Sequence, residues 1–376
     1  KLKDDSTNAA YLKALEIEPN NIMAYYNLGN LYKKLNEFEN SEKYYNKTIN
    51  LAPKLIDAYI NLMDLYEKSN QDSKLAEIIS NAEKYIEDNP NIILFKSKLL
   101  FKSKKFSEVI ENLESIKFNP NEMAKEGLRS VTLAKSYDHI NSFNKAFDYF
   151  KITNEINFNL NKDKINKNKF IEAIKKRINF FEKPEINNWP TPKLNTEKKD
   201  PIFLIGFPRS GTTLLDTILR CHQSIEVIEE KPIVNDFINV LNNKTDSNFN
   251  NLKIIDENLL NEMRDVYFNN QNKYIKSNNN KTIIDKMPLN IIYVGEIVRI
   301  FPNAKFILAI RHPCDCVLSC FMQNFELNDA MANFLNLEDS AKLYDTTMSL
   351  WETYSKVFPI NFHVIKYEDI VSNFDK

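Results

Sequence analysis

The chain has 376 residues, 43% hydrophobic and 27% charged, which is long enough for two cores and too apolar for a wholly disordered polymer. Fifty Lys+Arg stand against 51 Asp+Glu, and a pI near 6.6 excludes the strongly basic signature of a dedicated nucleic-acid binder. No apolar run approaches the roughly 18 residues that would span a bilayer.

The sequence opens at Lys1 inside a helix-like pattern and stops at Lys376 just past a strand-like one. Both ends are therefore expected to continue in a longer protein, with the C-terminal domain cut short. Of four Cys, three are bunched at Cys314, Cys316 and Cys320, which is no disulfide framework in a chain of this length. That usage predicts a reducing, cytoplasmic compartment. Asn is spread through helical and loop segments alike, as compositional bias rather than a local prion-like tract.

In the first third, helix breakers recur at Pro19, Pro53, Pro90 and Pro120, separated by 34, 37 and 30 residues. Between Ile22 and Leu55 the pattern reads Tyr25, Leu28, Gly29, Tyr32, Ser41, Tyr45, Pro53. This resembles the tetratricopeptide repeat, two helices whose small residues allow close approach while aromatics fill the space to the next pair. Tyr11, Ala14 and Pro19 fit the tail of a preceding repeat. Tyr59, Leu62 and Tyr66 open the following one, expected to carry a longer second helix. The Ile92–Pro120 unit reads as short and degenerate, and Leu133, Ala134, Tyr137, Ala146 and Phe150 restore the register. Residues 1–160 are thus predicted to be an all-helical solenoid. Such an array either offers a concave surface to a protein segment or only packs against a neighbouring domain or sister subunit.

Residues 161–200 are expected to join two domains. Phe170, Ile174, Ile178 and Phe181 make one stripe of an amphipathic helix over Ile165–Phe181, after which Pro184, Pro190 and Pro192 forbid regular structure. The Lys-rich stretch as a whole reads as a solvated linker.

From Pro201 the periodicity changes. Ile202–Ile205 is a continuous apolar run, as for a strand covered on both faces. It leads into Gly206-Phe-Pro-Arg-Ser-Gly-Thr-Thr213 and then Leu214, Leu215, Ile218 and Leu219 at helical spacing. Strand, Gly-bounded turn and helix together aim backbone N–H groups at an anion. Only five Gly occur in the chain, and Gly206 and Gly211 frame this loop, so a mere tight turn is the weaker account. The spacing is that of a phosphate-binding loop with Thr212 where a nucleotide triphosphatase needs Lys. Arg209 instead supplies a guanidinium suited to bidentate phosphate contact.

At this loop the chain resembles the sulfotransferases that use 3′-phosphoadenosine-5′-phosphosulfate (PAPS, leaving 3′-phosphoadenosine-5′-phosphate, PAP). The likeness is nearest to bacterial proteins with tetratricopeptide repeats ahead of a sulfotransferase domain, and more distant to tyrosylprotein sulfotransferases. It implies a helical repeat region followed by a three-layer α/β domain with a parallel sheet over 201–376. It also implies that Arg209, Ser210, Gly211, Thr212 and Thr213 hold the 5′ side of PAPS.

Three further blocks carry the resemblance. Glu230 closes a strand-like segment, Ser224–Pro232, 21 residues past Arg209, at the place of the relatives' general base. A surface ion-pair partner or a helix N-terminal acid is the bland alternative. His222 competes as base, but its place on the loop's helix makes it structural. Lys286 ends Thr282-Ile-Ile-Asp-Lys286, 25 residues before Arg311, at the position of a Lys that stabilises charge during transfer. Arg311 and Ser319, eight residues on, match the family's 3′-phosphate clamp. Phe362–Asp369 matches a last strand with a Tyr-Glu-Asp segment. Cys314, Cys316 and Cys320 fit no familiar zinc spacing and read as structural thiols, and no metal is expected.

The resemblance implies a sulfotransferase acting on a hydroxyl acceptor, with tyrosine, sugar and small molecule all open. The repeats tilt the choice toward a macromolecule, peptide or glycan, and self-association through them is an alternative. The rivals are a small-molecule or nucleotide kinase, against which Thr212 argues, and a non-catalytic repeat scaffold with a degenerate nucleotide domain. Against the latter stands the intact set of Arg209, Glu230, Lys286, Arg311 and Ser319.

Overall fold

The structure is a computed structural model that describes residues 2–190, 199–246, 248–276 and 281–373. It divides into two compact units, Lys1–Leu160 and Asn161–Lys376.

The first unit is a run of antiparallel helix pairs. Its elements are α1 (Leu2–Ile17), α2 (Ile22–Lys34), α3 (Phe38–Leu51), α4 (Ile56–Lys68), α5 (Asp72–Glu83), α6 (Pro90–Lys102), α7 (Phe106–Glu114), α8 (Met123–His139) and α9 (Phe143–Asn161). The small residues act as expected from the repeat pattern. A Cβ on Gly29 would stand 2.6 Å from the Tyr45 ring, so α2 and α3 touch through that position. The Ser41 hydroxyl donates to the Gly29 carbonyl at 2.9 Å, and the Tyr45 hydroxyl to Asn30 Oδ1 at 2.7 Å. Tyr59 and Leu62 of the next pair are fully buried in the same cluster as Tyr45.

Each pair turns through a left-handed residue two positions past its first helix: Asn36, Asn70, Lys104 and Asn141. This beat keeps the repeat more evenly than the prolines do. One expectation fails: α5 has 12 residues against 14 in α3, so the second helix of that repeat is not longer. The extra length lies in the connection to α6, where Asn89 caps the new helix and Pro90 opens it.

The second unit opens with α10 (Lys167–Phe181), followed by β1 (Ile202–Gly206), α11 (Thr212–Arg220), β2 (Ile225–Glu229), α12 (Ile233–Lys244) and α13 (Glu257–Asn272). Then come β3 (Thr282–Lys286), α14 (Val294–Ile300), β4 (Lys305–Ile310), α15 (Pro313–Phe321), α16 (Leu337–Val357), β5 (Asn361–Lys366) and α17 (Tyr367–Ser372). The strands form one sheet in the order β2-β3-β1-β4-β5, every pair parallel. Side chains of β1 alternate between two apolar layers. Phe203 and Ile205 join Phe306 and Leu308 on one face, while Leu204 joins Leu215, Val227 and Ile284 on the other. Burial on both faces is the reason these strands read as unbroken apolar runs.

The segment expected as a solvated linker is not one throughout. Ile174 and Phe181 of α10 are fully buried in the second unit's core, and Arg177 makes a buried ion pair with Glu296 of α14 at 2.7 Å. The apolar stripe read along this helix is its buried face, and Lys175 and Lys176 lie on the exposed one. Pro184 starts a short 3-10 turn, Pro184–Asn188, and Pro192 lies outside the described residues.

From β1 the chain leaves toward β2, on one side of the sheet, and from β4 toward β5, on the other. The carboxyl ends of adjacent β1 and β4 therefore bound a crevice where connections diverge, the place at which open parallel sheets accept ligands.

Candidate functional site

The loop from Gly206 to Thr213 leaves β1 inside that crevice. Gly211 caps α11 at φ 93°, in the left-handed region, and a Cβ there would meet the Tyr367 ring at 2.6 Å. A side chain is thus excluded by conformation and by space. Arg209 also has positive φ, 69°, a strain that turns its guanidinium back toward α15, where Nε donates to Ser319 Oγ at 3.0 Å. Arg311, just beyond β4, reaches the Arg209 carbonyl at 3.5 Å and lies over the Tyr367 ring at 4.7 Å.

Two polar atoms in this group, Ser210 Oγ and Arg311 Nε, are buried without a partner among the described residues. Buried donors left unpaired in a loop of this shape suit an anionic ligand. Glu368 accepts the His312 N–H at 2.8 Å, a bond that holds its carboxyl below the usual range and pins the chain after β5 to the chain after β4.

On the other wing, β3 delivers Lys286 with its side chain fully buried. Its ammonium contacts Glu230 at 2.8 Å and Glu229 at 3.1 Å. The two carboxylates converge because the chain turns sharply after β2: Glu230 has φ 49°, and its N–H donates to the Lys286 carbonyl at 2.8 Å. An ammonium at zero exposure is tolerable only when paired, so this pairing is a condition of the fold. Lys286, first, holds the Glu229 carboxyl below its ordinary range, with Arg220 and Lys231 adding to the effect.

These elements surround one cleft of about 520 Å³. Among the expected residues, Arg209, Gly211, Thr212, Thr213, Glu230 and Arg311 line it. Lys286 lies beneath Glu230, Ser319 behind Arg209, and Ser210 inside the loop. Met287, Leu289, Phe325 and Met331 add an apolar wall and Glu326 a carboxylate.

His222 follows α11 rather than riding on it, and its Nδ1 accepts the Ser224 N–H at 3.2 Å. Cys316 and Cys320 are buried, and burial pushes the Cys316 thiol up to about 12. No group of metal-ligating side chains occurs among the described residues. None of the described helices is long and apolar enough to cross a membrane.

Residue patterns alone missed Tyr367, whose ring covers both Gly211 and Arg311; the Tyr-Glu-Asp segment was visible without a role. They also gave no role to the wall residues: Met287 and Leu289 directly follow Lys286, and Phe325 and Met331 come from the segment after α15.

Comparison with known proteins agrees with this architecture. Residues 201–376 match the sulfotransferase family, and residues 10–43 match the tetratricopeptide repeat. An uncharacterized protein of Aquifex aeolicus (strain VF5) is 30% identical over 178 residues, which are 45% of this chain and 23% of that protein. The chain thus spans about a quarter of that relative's length. Among solved structures, MamA is 18% identical with a TM-score of 0.36, over 42% of this chain and 91% of its own. YrrB, a TPR protein with an unusual peptide-binding site, is 17% identical with a TM-score of 0.31, over 41% of this chain and 85% of its own. Residues 201–376 form a domain of the sulfotransferase family, preceded in the chain by tetratricopeptide repeats.

Proposed function

We propose that the second unit transfers a sulfuryl group from PAPS to a hydroxyl acceptor by in-line displacement. The carrying observation is that Glu230, 2.8 Å from the buried ammonium of Lys286, lines the same cleft as the lysine-free loop and Arg311. PAPS, when bound, supplies an activated sulfuryl group and a stable bisphosphate leaving group.

In this reading the backbone N–H groups of Ser210 to Thr213, the two threonine hydroxyls and Arg209 hold the 5′ end. The unpartnered Ser210 hydroxyl supports that assignment. Arg311 and Ser319 take the 3′-phosphate, the feature that separates this donor from ATP. Their supporting geometry is shared contact with Arg209: Ser319 through its hydroxyl and Arg311 through the carbonyl. Glu230 accepts the acceptor's proton, for which its carboxylate is open to the cleft. Lys286 balances charge that moves toward the leaving oxygen, a fixed cation needing no reorganisation. The apolar wall of Met287, Leu289, Phe325 and Met331 suits the body of the acceptor. Tyrosine, sugar and small-molecule hydroxyls all remain within this class, and the repeats fit a macromolecular acceptor or self-association.

Calorimetric titration with PAP, ADP and ATP, with and without Mg²⁺, tests the donor. Metal-independent preference for PAP is expected. Preference for ATP with Mg²⁺ would sink the reading in favour of a kinase. Glu230→Gln should then retain PAP affinity and lose turnover, and equal loss of both would remove Glu230 as base.

A further inference from the structure

Two glutamates meet one lysine in this site, although one would neutralise it. Their surroundings differ. Glu230 lines the cleft, and the bond drawn to its carboxylate comes from Lys286. Glu229 is held from behind: Arg220 donates to its Oε2 at 3.3 Å. Arg220 is itself gripped by both oxygens of Asp216, at 2.5 and 3.0 Å. Asp216 is almost fully buried, 3% exposed, on the helix that starts at the phosphate-binding loop. A chain of alternating charge thus runs Asp216, Arg220, Glu229, Lys286, Glu230.

We propose that Glu229, anchored by Arg220 and Asp216, is a positioning residue: it is the standing counterion of Lys286, and it frees Glu230 to accept a proton. The inference rests on the assignment of Glu230 as base. When the acceptor oxygen forms its bond to sulfur, the hydroxyl proton passes to Glu230. The sulfur–oxygen bond to the 5′-phosphate breaks, and its electron pair leaves with that phosphate. At that moment Glu230 is neutral. With Glu230 alone as partner, the fully buried Lys286 ammonium would then have only the charge arriving at the leaving oxygen to compensate it, a costly arrangement. Glu229 prevents this, because the cations around it keep it ionised throughout.

The groups facing Glu229 are Lys286 from β3, Arg220 from α11, and Lys231 just after β2. Removing its charge leaves Glu230 as the one carboxylate on Lys286. Glu230 is then held more firmly as its anion and becomes a weaker base. In Glu229→Gln, kcat should fall at least tenfold with PAP affinity within about twofold, and the acid limb of the kcat–pH profile should move to lower pH. Arg220→Met should lower kcat by less, through a loosened Glu229, and Arg220→Lys should recover part of kcat.

An unmoved acid limb in Glu229→Gln, in a chain whose tryptophan fluorescence and PAP binding show it folded, would overturn the proposal. So would equal loss in Arg220→Met and Arg220→Lys. Retained turnover in Glu230→Gln would instead strike the base assignment itself, and this inference with it.

Discussion

Replacing Asp285 by Asn should remove a pH dependence from the stability of the second unit. Asp285 is fully buried in β3, where its Oδ2 accepts the Tyr267 hydroxyl at 3.1 Å. Its Oδ1 has no partner among the described residues. Burial raises the carboxyl from 3.8 to about 7, and the tyrosine bond offsets only part of that. As pH climbs past the ordinary value the unfolded chain gives up the proton while the folded chain keeps it. Stability is therefore lost from about pH 4 to about pH 7 and levels off above.

At about 1.36 kcal/mol per pH unit, the whole interval amounts to roughly 4 kcal/mol, of which roughly 2.7 kcal/mol falls between pH 5 and 7. Asn is close to the same shape, neutral throughout, and still accepts from Tyr267. Its own amide inherits the unpaired position, so the absolute stabilities of the two chains matter less than their difference between two pH values. Every other titrating group is common to both and cancels.

Both tryptophans, Trp189 and Trp351, belong to the second unit, so urea unfolding followed by tryptophan fluorescence reads that unit. The advantage of Asp285→Asn should grow by about 2–3 kcal/mol from pH 5 to pH 8. Parallel pH dependence in the two chains, within about 0.5 kcal/mol, would refute the buried-acid argument.

Arg311→Ala should weaken PAP binding by about tenfold or more and ADP binding far less, since a charge-assisted contact to the extra phosphate is worth about 1.5–3 kcal/mol; paired calorimetric titrations check it. Gly211→Ala places a Cβ 2.6 Å from the Tyr367 ring at a backbone φ of 93°, so PAP binding should be lost while the second unit's fluorescence transition persists. Gly29→Ala drives a methyl into the Tyr45 ring at 2.6 Å and should destabilise the first unit by about 1–3 kcal/mol. Circular dichroism follows that unit, and an unchanged helical melt would mean that α2 and α3 can separate without loss.

Much of the architecture was legible because its signals are local. The run Ile202–Ile205, the loop that follows and the helical spacing of Leu214 to Leu219 lie within one stretch of chain, and β1 and α11 appear where that stretch puts them. The helical repeats were legible through small residues such as Gly29 and Ser41, whose role is set by how close two helices must come. The apolar stripe of α10 was legible, but its Lys-rich stretch was read as a solvated linker because a stripe does not say which core covers it, and this one also carries an arginine. Arg177 is acceptable inside only because Glu296, from a helix far along the chain, stands 2.7 Å away. The tail of the Tyr59 repeat was misread because helix length depends on where a cap falls, and Asn89 with Pro90 supplies that cap late.

The sequence by itself determined the order of the two units, the strand, glycine-framed loop and helix from Ile202 to Leu219 with Thr212 in place of a lysine, and the charged residue types that stand in the cleft. Tertiary structure alone decided which of them meet. Parallel pairing of β2 with β3 brings Glu229 into register with Lys286 across 57 residues of chain. Pairing of β1 with β4 sets Arg311 beside Arg209, and β5 lays Tyr367 over both the loop and Arg311. Contacts between strands separated by whole helices leave no periodicity behind in a single sequence. Their free energy comes from burying apolar faces that many residue combinations could cover, so the partners become definite only when the sheet is assembled.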